Sequence, residues 1–147
     1  MSDDLMHQVV PAAPAQPSSA DLQNLDKLCR IAAWAMPATY LLLIVLGMLV
    51  PGIRFLALPA KASAAIFCAR KLGAFLQTFP EHPKAKAALS LAKTQTVLML
   101  AFEVFPVLFV FNAEKDVLPI YLGLTVLAGL ALHTVVAIRG ARRLALM

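Results

Sequence analysis

Three long apolar runs are separated by polar segments along the chain, and their lengths predict membrane-crossing helices. Between Arg30 and Arg54 lie 23 uncharged residues, 31–53. At helical rise they extend about 34 Å, against a hydrocarbon core of roughly 30 Å. Residues 117–138 form a run of 22 between Asp116 and Arg139. The run 94–113 is of similar length but is interrupted by Glu103. The pattern predicts an all-α integral membrane protein with three transmembrane helices. The competing arrangement leaves the middle run at the surface and has an even number of crossings.

The segments between the runs have their own periodicity. Residues 9–20 are rich in Pro, Ala and Ser, so residues 1–20 are expected to be a disordered tail. The first 20 residues lack a basic start and a continuous apolar stretch, so no cleaved signal is expected there. Ser18, Ser19, Ala20 and Asp21 resemble a helix start with an acid in the first turn. Leu22, Leu25, Leu28 and Cys29 then recur at helical spacing. Residues 21–53 are read as one helix leading into the first span, bent at Pro37.

Within 54–93, Ala65, Cys68, Leu72, Phe75 or Leu76, and Phe79 repeat at steps of three and four. Ser63, Arg70, Lys71, Gln77 and Thr78 gather opposite. This spacing predicts an amphipathic cytoplasmic helix lying at headgroup level, with Arg70 and Lys71 as a surface docking patch. A partner-helix groove or a re-entrant hairpin are the other uses of such a stripe. Pro80 to Pro83 should end that helix, and Pro83 suits the first turn of the next.

Composition strengthens the membrane reading. The chain is 61% apolar and 14% charged, whereas soluble domains hold about 45–50% and about 25%. Its net charge of +5 comes from Lys and Arg in the gaps between apolar runs, so direct nucleic-acid binding is not expected. The first 30 residues carry Lys27 and Arg30 against four Asp, whereas 54–93 carries seven Lys/Arg against Glu81. The link 114–116 is net −1, and the tail 139–147 has three Arg and no acid. By the positive-inside rule, three crossings place 54–93 and the C-terminus in the cytoplasm and the N-terminus outside a bacterial inner membrane.

Few residues offer chemistry. Glu103 falls near the middle of the 94–113 span, where an ionisable group faces protein or water rather than lipid. Pro106 loosens the backbone beside it. Matching depths in an alternating bundle puts Tyr40 and Thr125 near Glu103, as hydrogen-bonded glue between helices or as an ion or proton site. His133 lies about two helical turns from Glu103 in depth, and a structural role is expected of it. Thr125 and Gly129 form a small-residue pair suited to close helix approach. Cys29 and Cys68 fall on opposite sides of the membrane in this topology, which excludes a disulfide between them. Metal-ligand, phosphate-loop and nucleophile motifs are absent from the sequence, so neither enzyme activity nor a cofactor is expected.

These features predict a non-enzymatic accessory subunit of a larger envelope assembly, such as a secretion or conjugative DNA-transfer apparatus. Its expected partners are the lipid bilayer, other membrane subunits and further copies of itself. The alternative is a small homo-oligomeric transporter or proton-coupled channel built around Glu103.

Overall fold

A computed structural model describes residues 16–50, 57–110 and 118–147; the side chains of 57–58, 103–110, 118–119 and 122 lie outside that description. The described residues form four helices: α1 (Ser19–Leu49), α2 (Ala57–Thr78), α3 (Pro83–Val110) and α4 (Leu118–Ala145).

Local chemistry sets the ends of these helices. Ser18 Oγ accepts from the Asp21 backbone N–H at 3.2 Å, and Asp21 accepts from the Ser18 N–H at 3.0 Å. This reciprocal pair satisfies two donors that a helix start leaves open. Pro37 lies inside α1, and the Val50 N–H closes its last turn on Leu46 O at 2.8 Å. The turn after α2 is held by Phe79 N–H to Phe75 O at 2.9 Å and His82 N–H to Phe79 O at 3.2 Å. Pro83 opens α3 where its missing N–H does no harm, while His82 Nδ1 accepts from the Ala85 N–H at 3.4 Å.

The helices pack up and down. Each touches its sequence neighbour, and α1 also touches α3 and α4. One core cluster joins the start of α1 (Leu25, Cys29, Ala32), the end of α2 (Cys68, Leu72), the start of α3 (Ala85, Ala88, Ala92) and the end of α4 (Leu144). The salt bridge of Lys84 to Asp26 at 2.7 Å pins the starts of α1 and α3 together at that end. Alanine fills much of this interior, which lets the backbones come close. Gly140 serves the same purpose. A Cβ there would fall inside contact distance of both Leu91 methyls.

The structure therefore departs from the three-span reading in one helix. The stripe on α2 exists, but Ala65, Cys68 and Leu72 are buried in the bundle, because α1 and α3 cover it rather than a headgroup layer. Two consequences follow. Cys29 and Cys68 share one core cluster, so no membrane separates them. Asp26 and Lys84 touch, so the N-terminal helix start and the 78–83 turn lie at the same end, not on opposite sides.

Among the described residues, two helical stretches are long and apolar enough to cross a membrane, Ser19–Leu49 and Gly123–Ala145. Within the bundle, 28% and 17% of their most apolar windows is buried. Leu41, Leu42, Val45, Met48 and Leu49 of α1 and Leu124, Leu127, Leu132 and Val135 of α4 face outward.

Candidate functional site

Each of the four helices contributes one polar side chain to a common interior centre. Tyr40 of α1, Lys61 of α2, Gln95 of α3 and His133 of α4 are all buried, His133 completely. Helical periodicity brings them inward. Tyr40 follows Ala33 and Met36 on the inner face of α1. Lys61 precedes Ala65 by one turn on the α2 stripe, and Gln95 lies between Ala92 and Met99. His133 lies between Gly129 and Ala137, whose small size lets α4 approach its neighbours. A Cβ on Gly129 would meet Tyr40 and Phe102 at 3.4 Å.

The centre is held by directed contacts. The Gln95 side chain grips His133 twice, donating from Nε2 to the His133 carbonyl at 3.2 Å and pairing its Oε1 with the imidazole Nδ1. With the amide oxygen as acceptor, Nδ1 carries the ring proton and Nε2 is left as an acceptor. That Nε2 is buried and has no hydrogen-bond partner among the described residues. The Tyr40 ring lies 5.0 Å from the imidazole between centroids, and the Phe102 ring 6.5 Å. Lys61 places its ammonium 3.8 Å from the centroid of the Tyr40 ring. A desolvated cation over an aromatic face gains about 2 kcal/mol. The centre is thus a stack of ammonium, phenol ring, imidazole and amide running across all four helices.

The residues singled out from sequence distribute unevenly around it. Tyr40 and His133 belong to the centre and touch each other. The Thr125 hydroxyl donates within its own helix to Tyr121 O at 2.8 Å. Thr39, Thr94, Thr96 and Thr134 do the same four residues back, the usual way a hydroxyl is satisfied in an apolar helix. Glu103 belongs to α3, and its side chain lies outside the described residues. Arg70 and Lys71 are exposed on the outer face of α2.

Lys61 and Gln95 are the members that sequence reasoning missed. From sequence, Lys61 is one of the seven cations of 54–93, and Gln95 lies without distinction in the 94–113 run. The available signal was helical spacing. Lys61 is four residues before Ala65 on the predicted stripe, and Gln95 is four before Met99. The interior beside the centre is closely filled. A void of about 10 Å³ lies among Ala32, Met36, Ala65, Cys68 and Gln95. No group of three or more metal-ligating side chains occurs among the described residues. No protein-family model, curated protein or solved structure matches the chain.

Proposed function

We propose that this chain is a four-span protein of a bacterial inner membrane, with both chain ends in the cytoplasm, that serves as a non-enzymatic subunit of a larger envelope assembly. The observation that carries the reading is the inversion of polarity across the bundle. Polar side chains from four helices are gathered inside, while the outer faces of α1 and α4 are apolar. A protein built this way meets its surroundings through its lipid-depth surface and its charged end, and the inner centre fixes the register of the helices.

Orientation follows from charge. Ten of the 13 Lys and Arg fall in the half of the bundle that holds the starts of α1 and α3 and the ends of α2 and α4: Lys27, Arg30, Arg70, Lys71, Lys84, Lys86, Lys93, Arg139, Arg142 and Arg143. The positive-inside rule assigns that end to the cytoplasm. With α2 as a returning span, four crossings satisfy the rule as three did, and they also accommodate the Asp26–Lys84 contact.

Two measurements test this reading. Single cysteines at Ser19, Gln77 and Leu146, in a background lacking Cys29 and Cys68, should all resist an impermeant thiol reagent applied from the periplasm. Labelling at Ser19 alone would restore three spans. Photocrosslinkers at Leu42 and Leu127 in native membranes should give a discrete adduct with a second polypeptide species. Adducts to lipid alone would remove the subunit role and leave the topology standing.

The buried His133 Nε2, which has no hydrogen-bond partner among the described residues and lies by the Tyr40 ring, favours a second reading, a small proton-coupled transporter. Here Glu103→Gln and His133→Gln should each abolish proton flux into liposomes while the protein still assembles. Flux that is absent from the wild type removes this alternative.

A further inference from the structure

Where the starts of α1 and α3 meet the end of α4, the bundle opens into a cleft of about 440 Å³ lined by Asp26, Arg30, Trp34, Lys84, Leu144 and their small neighbours. It lies apart from the polar centre, and its chemistry is graded. Lys84, in the first turn of α3, and Arg30 supply cations at the mouth. Arg142 and Arg143, in the last turn of α4, do not line the cleft but are next in sequence to the lining residues Ala141 and Leu144. Trp34 lines the wall one helical turn deeper than Arg30 and is 44% exposed. The apolar part of α1 begins at Ile31. Cation, indole and apolar wall therefore follow one another over a few ångströms, which is the order of groups along a phospholipid from phosphate to glycerol to acyl chain.

We propose that this cleft is a binding site for the headgroup of an anionic phospholipid of the cytoplasmic leaflet. The proposal rests on the membrane reading above. Charge complementarity selects the occupant. Arg30 has no ion-pair partner among the described residues, whereas Lys84 is held by Asp26 at 2.7 Å. A phosphate entering the cleft gains Arg30 directly and competes with Asp26 for Lys84. A guanidinium offers a phosphate two parallel donors. A zwitterionic headgroup would bring its own cation toward Arg30 and gain less. Asp26 thereby acts as a counterweight that weakens binding of any anion in the cleft.

Trp34 is the only tryptophan in the chain, so the site carries its own reporter. The full-length protein would be reconstituted into vesicles of phosphatidylcholine and phosphatidylglycerol, with bromine on the acyl chains of one lipid or the other. Brominated phosphatidylcholine alone should quench Trp34, which reports embedding. Brominated phosphatidylglycerol at low mole fraction should quench it beyond its share of the bilayer, with a preference of roughly fivefold or more for each cation engaged. The double variant Arg30→Gln/Lys84→Gln should lose that preference and keep the phosphatidylcholine quenching. Asp26→Asn should raise the preference, and this variant removes no cation. Equal quenching by both lipids in the wild type, or a preference that survives the double variant, overturns the site. No quenching by either lipid overturns the membrane reading beneath it.

Discussion

The bundle is filled in two ways along its length. Near the basic end, Leu25, Cys29, Leu72, Ala85, Ala88 and Leu144 meet as a plain apolar core. Deeper in, Tyr40, Lys61, Gln95 and His133 meet as a polar one. The first is held by shape, because alanine and glycine allow close approach and leucine fills what remains. The second is held by direction, since Gln95 bonds two atoms of His133 and Lys61 sits over the face of Tyr40. The difference bears on how each region responds to change. An apolar core loses stability with volume, whereas a polar core loses it with unmet partners.

Four perturbations separate these behaviours. The largest effect is expected from Leu72→Ala, which empties a fully buried site between α1 and α3 and should lower stability by about 2–5 kcal/mol. Unfolding in mixed micelles measures it, and a loss under 1 kcal/mol would mean that α2 is not an integral stave of the bundle. Gly140→Leu comes next. Its side chain would collide with Leu91, and overpacking of this kind destabilises by about 1–3 kcal/mol. The same unfolding assay should show Leu91→Ala relieving part of that loss.

Gln95→Leu keeps the volume but strands the His133 Nδ1 proton. Membrane hydrogen bonds contribute about 0.6 kcal/mol on average and about 1.7 at most, so a loss of roughly 1–2 kcal/mol is expected. If Gln95→Leu proves as damaging as Leu72→Ala, the ranking of shape over direction is wrong for this protein.

The smallest effect concerns pH. Hydrogen bonding and charge from Lys84 hold the Asp26 carboxyl below its usual range, and hydrogen bonds with Ser18 do the same for Asp21. Both precede Ile31, on the hydrated start of α1. A depressed folded-state pKa stabilises the fold above the unfolded value of about 3.9, and that contribution is lost as pH falls through the folded value. Both carboxylates are solvent-exposed, so the loss is slight. The stability gap between wild type and Asp26→Asn should be present at pH 7 and close in strong acid. A gap that widens on acidification would reverse the sign.

Much of the fold could be read directly from the chain, because the relevant signals are local. Ser18 and Asp21 announce the start of α1, Pro83 the start of α3, and the steps from Ala65 to Phe79 the stripe on α2. The stripe's partner was not legible. A face made of Ala65, Cys68 and Leu72 suits a headgroup layer and a neighbouring helix equally well, and spacing alone does not choose between them. Counting 54–93 as one loop then displaced Cys68 from Cys29. The polar centre was half legible. Tyr40 and His133 stand out in apolar runs, whereas Lys61 and Gln95 are camouflaged by polar neighbours and acquire meaning only when four helices converge.

The up-and-down order of the helices also bears on biosynthesis. In the proposed four-span arrangement, α1 with α2 and α3 with α4 are two successive helical hairpins, and the basic turn between them stays on the side where synthesis occurs. The proposal then asks for few charges to be translocated between helices: the sequence has Arg54 within 50–56 and Glu114, Lys115 and Asp116 within 111–117. In that arrangement the first hairpin pairs Lys61 with the face of Tyr40, and the second supplies Gln95 and His133 to complete the centre.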